Sequence, residues 1–89
     1  MKLTWRPQAR AELAAILEHI AADSPVGAAR IKTQILHSVG FLEEWPDLGR
    51  DGRRGYRELV VPHTPYVIIF ERRERQIRIM RVLHASQRR

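Results

Sequence analysis

Eighty-nine residues carrying 16 Lys and Arg against 10 Asp and Glu make one domain, residues 1–89, with a single core and a formal charge of +6. The lack of cysteine excludes a disulfide framework, thiolate chemistry and cysteine-ligated zinc, and 44% apolar residues in patterned runs exclude a disordered polycation. No apolar run reaches membrane-spanning length and the N-terminus lacks a signal-peptide core, so the chain reads as soluble and cytoplasmic.

Residues 2–5 form a short strand candidate that stops before Arg6 and Pro7. Pro7 suits the first turn of a helix, where its missing N–H costs nothing. Leu13, Ile16, Leu17 and Ile20 then fall on one stripe at helical spacing. Asp23, Ser24 and Pro25 break that helix, and Ser24 with Pro25 supplies an N-cap and first residue for the next one. Ala28, Ile31, Ile35, Val39 and Leu42 carry it to about Glu44, so the two helices form an antiparallel hairpin. Trp45 and Pro46 end it. Residues 47–55 read as a Gly- and Arg-rich loop. Three strands follow at 56–61, 66–70 and 77–83, joined by turns at 62–65 and 72–75 into an antiparallel meander. The predicted fold is α+β, in the order β-α-α-β-β-β, with a helical hairpin packed on one face of a small sheet.

The charge is unevenly placed. Residues 50–89 hold eleven Arg, no Lys and four acids, a charge of +7, which leaves −1 for residues 1–49 with five bases and six acids. Guanidinium forks set in a sheet suit phosphate or carboxylate partners. Arg72, Arg73 and Arg75 flank a hairpin tip and read as protective surface charges. By strict alternation Arg81 shares the buried face with Ile77, Ile79 and Leu83, which calls for an ion pair with Glu58 or Glu71, and Arg78 falls on the other face with His84. His84 closes the last strand and serves either as a general acid or as a hydrogen-bonded strand end. His19, His37 and His63 read as surface residues, and no metal-ligand set is present in the sequence. Glu12, Glu18, Glu43 and Glu44 read as solvated helix residues, and Asp47 and Asp51 as turn formers. Nothing in the sequence calls for a cofactor. A basic nucleic-acid binding module fits the charge alone.

Several blocks in order carry a resemblance: Trp5-Arg6-Pro7-Gln8-Ala9-Arg10, the link at Asp23-Ser24-Pro25, Trp45-Pro46-Asp47-Leu48-Gly49-Arg50, Pro65-Tyr66-Val67-Ile68-Ile69-Phe70 and Met80-Arg81-Val82-Leu83-His84. Together they resemble toxins of the ParE/RelE superfamily from bacterial type II toxin–antitoxin modules, including those that stabilise plasmids. The resemblance implies the β-α-α-β-β-β fold and a hetero-oligomer with an acidic, ParD-like antitoxin. It also implies one of two activities: inhibition of DNA gyrase, as in ParE, or ribosome-dependent mRNA cleavage, as in RelE. This sequence departs from the ribonuclease pattern. The loop 47–55 has no Lys or Glu, Pro65-Tyr66 stands where an Arg would begin the middle strand, and Ala85 follows His84 where a Tyr often completes the site. Arg57, Arg81 and His84 are what remains of a catalytic set, and the residues expected to meet a target are Arg53, Arg54, Arg57, Arg88 and Arg89.

Overall fold

The computed structural model describes residues 1–87. Strand β1 (Lys2–Trp5) leads into helix α1 (Pro7–Asp23), which begins with proline in its first turn. One residue joins α1 to α2 (Pro25–Glu44). The Ser24 N–H donates to the Ile20 carbonyl at 2.8 Å, closing α1, while its Oγ accepts the Gly27 N–H at 2.9 Å and opens α2. A single serine thus satisfies groups at two helix ends, which folds the pair into the hairpin read from the sequence.

The loop 47–55 is more ordered than its composition suggests. It contains a two-residue strand, β2 (Arg50–Asp51), and a 3-10 turn (Arg53–Gly55). Strands β3 (Arg57–Val60), β4 (Tyr66–Arg73) and β5 (Gln76–His84) follow as the expected meander, and a second short 3-10 turn covers Ala85–Gln87. The sheet has five strands in the order β1-β5-β4-β3-β2. All pairs are antiparallel except β1 with β5, so the first strand lies along the last in parallel.

The helical hairpin covers one face. Ala9, Ile35, Val39 and Leu42 from the helices meet Ile68, Phe70, Ile77, Ile79 and Val82 from the sheet and Val61 just beyond β3, and all ten are essentially inaccessible. Each large apolar side chain buried in this way contributes about 1.5–3 kcal/mol. The α2 stripe is buried much as its spacing requires. On α1 only Ala9 is fully buried, while Leu13, Ile16, Leu17 and Ile20 are half-covered. No helix among the described residues is long and apolar enough to cross a membrane.

Strict alternation fails on β5. Ile69 pairs with Arg81 but Phe70 pairs with Ile79, so Met80 is an extra residue, a β-bulge that reverses the faces beyond it. Ile77, Ile79 and Val82 therefore point into the core, and Arg81 turns outward with 45% of its side chain exposed. The expectation that Arg81 lies on the buried side is corrected by this one residue. Arg78 also changes company: through their β4 partners Glu71 and Ile69, Arg78 and Arg81 share the open face, while His84 pairs with Tyr66 on the core side.

Candidate functional site

The open face of the sheet gathers basic side chains. Arg78 and Arg81 stand on β5 and Lys2 beside them on β1, while Arg53 and Arg54 reach in from the 3-10 turn. Arg53, Arg54 and Arg81 line an open depression of about 260 Å³ whose floor and walls include Tyr56, Ile69 and Leu83. Two acids temper the charge. Glu71 takes Arg78 at 3.6 Å and Arg73 at 3.8 Å, and Glu58 takes Arg50 at 3.3 Å.

Arg81 has a partner that sequence reading assigned to solvent. Its Nε and Nη2 donate to Glu12 Oε2 at 3.0 and 2.5 Å, and Glu12 Oε1 accepts the backbone N–H of Val82 at 3.0 Å. Neither Glu58 nor Glu71 fills that role. The geometry has a simple cause. Strand β1 ends opposite Ile79, so β5 runs on past its neighbour and exposes an edge N–H. The second turn of α1 crosses that edge, and the Glu12 carboxylate stands in for the missing strand. The Glu12 hydrogen bond raises the Arg81 pKa, partial burial opposes it, and the Glu12 charge raises it further. A raised basic pKa adds stability that is complete below the unfolded value and is lost only as pH rises through the folded one. For arginine that window lies at extreme alkalinity, so the shift leaves stability flat across the working range.

Removing this carboxylate gives a direct test. Glu12→Ala strands the Val82 N–H and leaves Arg81 uncompensated, an expected loss of about 1–3 kcal/mol. Glu12→Gln keeps an acceptor for Val82 and loses less. Thermal melts together with amide exchange at Val82 separate the two, and equal melts for wild type and Glu12→Ala would remove the strand-substitute role.

Arg57 is committed to its own loop. Its Nη1 donates to Asp51 Oδ1 at 2.9 Å, and its Nη2 donates to the carbonyls of Asp47 and Gly49 at 3.1 and 3.2 Å. Arg72 adds a second tie through the Asp47 carboxylate. Asp47 and Asp51 thus anchor the loop through arginines as well as shaping it. Both carboxylates are more than nine-tenths exposed, so solvent screens these pairs and the carbonyl contacts hold the position. Register with Phe70 places Arg57 on the core side, away from Arg81.

His84 ends β5 as a hydrogen-bonded cap. Its N–H donates to Gln87 Oε1 at 3.0 Å, its Nδ1 accepts the Ser86 N–H at 3.1 Å, and its ring meets Tyr66 edge-on at 5.8 Å. The three residues named as a residual catalytic set are therefore split between the faces of the sheet, Arg81 on the open face and Arg57 and His84 on the core side, each held by a separate network. Arg53 and Arg54 differ, since among the described residues neither has a carboxylate within ion-pair reach. Arg54 adopts φ +58, which turns the chain sharply before Gly55. Arg88 and Arg89 lie outside the described residues.

Comparison with known proteins agrees along nearly the whole chain. Residues 3–89 match the family model described as the ParE toxin of the type II toxin–antitoxin system parDE. Y4kP of Sinorhizobium fredii, named as a candidate toxin, is 38% identical over 97% of this chain and 90% of its own length. Toxin RelE2 of Caulobacter vibrioides is 34% identical over 97% of both chains. A solved chain of the chromosomal ParDE toxin–antitoxin system from P. aeruginosa superposes with a TM-score of 0.84 at 27% identity, covering 94% of this chain and 95% of that one.

Proposed function

Because the chain belongs to the ParE toxin family of type II toxin–antitoxin systems, we propose that it acts by occupying DNA gyrase rather than by cutting RNA, and that a cognate acidic antitoxin neutralises it in a hetero-oligomer. One observation carries this reading: Arg57, Arg81 and His84 are engaged in three separate structural networks. Metal-free RNA cleavage needs a base, a charge stabiliser and an acid converging on one phosphate. A stoichiometric inhibitor needs only a rigid, charged docking surface. The turn carrying Arg53 and Arg54 offers such a surface, closed by the Gly52 N–H on the Tyr56 carbonyl and the Tyr56 N–H on the Arg53 carbonyl.

The test is DNA supercoiling by purified gyrase with this chain titrated in. The expected result is loss of supercoiling at stoichiometric toxin, relieved by Arg53→Ala with Arg54→Ala. Undiminished supercoiling at large toxin excess defeats the gyrase reading. Primer extension on translated mRNA runs beside it: new cleavage ends that vanish in His84→Ala would transfer the activity to the RelE type.

A further inference from the structure

We propose that the hairpin end of the open face, at Lys2, Arg73, Arg75 and Arg78, is a binding surface for the phosphate backbone of duplex DNA, separate from the turn that carries Arg53 and Arg54. The choice of DNA over RNA rests on the gyrase reading above; the surface itself does not.

Three strands assemble this end of the sheet. Arg73 of β4 and Gln76 of β5 face each other across a turn made of Glu74 and Arg75, and Lys2 of β1 lies opposite Gln76. The Lys2 N–H donates to the Arg75 carbonyl at 2.9 Å, which ties the first strand to the turn and holds its cation beside Arg75. Gln76 Nε2 donates to Thr4 Oγ1 at 3.2 Å and ties the same two strands again. Arg78 stands one pleat further along β5. The four bases, with Glu74 and Gln76, line an open depression of about 460 Å³. Protection of a hairpin tip accounts for Arg73 and Arg75. It gives no reason for Lys2 and Arg78 to converge on the same depression from two other positions.

The charge of this end is only partly compensated. Glu74 stands in the lining, and Glu71 lies between Arg73 and Arg78 at 3.8 and 3.6 Å, too long for a hydrogen bond. Lys2 and Arg75 have no carboxylate within ion-pair reach among the described residues. The Arg73 side chain is 75% exposed, so its guanidinium is free to turn toward a ligand.

The chemistry of the lining selects the partner. No apolar side chain lines the depression. A protein partner needs an apolar centre to its contact, and a membrane-bound face needs apolar residues to insert. A nucleic-acid backbone needs only cations and donors, and arginine forks grip phosphate through two hydrogen bonds. Lys2 and Arg73 are two strand spacings apart, about 10 Å. That span matches roughly three phosphates of one DNA strand, at about 3.4 Å of helix axis each. A chain docked on gyrase through Arg53 and Arg54 would then hold the enzyme and its DNA at once.

The experiment measures binding of the full chain to a short mixed-sequence DNA duplex across a salt series. The expected Kd near physiological salt is on the order of 10⁻⁴–10⁻⁶ M, with log affinity falling against log salt at a slope of about −3. Arg73→Gln with Arg75→Gln should weaken binding by roughly tenfold or more and bring the slope to about −1. Arg30→Gln with Lys32→Gln removes the same charge from exposed positions on α2, beyond a Debye length of about 8 Å, and should weaken binding by less than about threefold. Glu74→Gln should tighten it by roughly twofold to fivefold. All five positions are exposed, so matching melts verify that the variants fold. The inference is overturned if the wild type leaves the duplex unbound at low salt. Equal weakening by the two charge-matched pairs would also overturn it, because net charge alone then explains the binding. So would tighter binding, dependent on Arg73 and Arg75, to single-stranded RNA or to phosphatidylserine vesicles. Duplex binding that depends on Arg73 and Arg75, beside undiminished supercoiling, would defeat the gyrase reading and leave this surface standing.

Discussion

Gly49→Ala should cost about 3–5 kcal/mol, combining backbone strain with overpacking against a strand. Gly49 has φ +91, and a Cβ built there would sit 2.4 Å from the Glu58 carbonyl oxygen and 3.3 Å from the Phe70 ring. The carbonyl cannot yield cheaply, because Glu58 is paired with Arg50 on one side and Ile69 on the other. In a domain whose whole stability is of order 5–15 kcal/mol, such a loss lowers the melting temperature by roughly 15–30 °C. Two other glycines calibrate the result. Gly55 also has a positive φ, +81, but an added Cβ there meets nothing within 4 Å, so Gly55→Ala should cost only about 1 kcal/mol of backbone preference. Gly40 lies within α2 with open space around it, and Gly40→Ala should stabilise by about 0.5–1 kcal/mol. Three melting curves test the series. If Gly49→Ala melts with Gly55→Ala, the close approach to Glu58 is not real. The site should fail together with the fold, since the Gly49 carbonyl is one of the groups that hold Arg57 and fix the loop leading into the turn that bears Arg53 and Arg54.

Local chemistry made most of the architecture legible in the sequence. Ser24 and Pro25 marked the joint between helices because capping is a short-range interaction, and the α2 stripe was readable because a helix repeats its contact every turn. What escaped was set by residues far apart in the chain. The parallel pairing of β1 with β5 spans more than seventy positions, and no local pattern announces it. Glu12 acquired its role from that pairing: only when β1 stops short of Val82 does an acid on α1 have an edge to cover. The sign of Arg81 was lost to a single residue, since a bulge at Met80 reverses every later side chain while leaving the composition of the strand unchanged. Arg57 was read as free because a guanidinium in a strand next to a Gly-rich loop gives no sequence cue that the loop will fold back over it. The surplus charge of residues 50–89 was legible from the start. Its division into brace, tie and open surface was not.

That division bears on the second large effect. The antitoxin complex should melt roughly 15–30 °C above the free chain, because a ligand present at a thousandfold excess over its Kd adds about 4 kcal/mol to the folded state. The free chain is poorly placed to stabilise itself. Its +6 charge repels itself, and the ion pairs that temper it are mostly solvent-exposed and weak. An acidic segment would relieve this repulsion, and apolar residues on it would find exposed Phe41, Leu48 and Val60 to cover. The two contributions separate by salt. Screening shortens the reach of charge from about 8 Å near physiological ionic strength to about 3 Å at 1 M, so added salt should erode the electrostatic share and spare the apolar share. If the exposed apolar residues Phe41, Leu48 and Val60 carry the contact, most of the shift should survive 1 M NaCl in the wild type and be lost in Phe41→Ser with Leu48→Ser. If the arginine face carries it instead, the shift should collapse with salt and ignore the apolar substitutions. Equal melting temperatures for free and bound chain at low salt would contradict both, because a partner that binds the folded state and not the unfolded one must stabilise it.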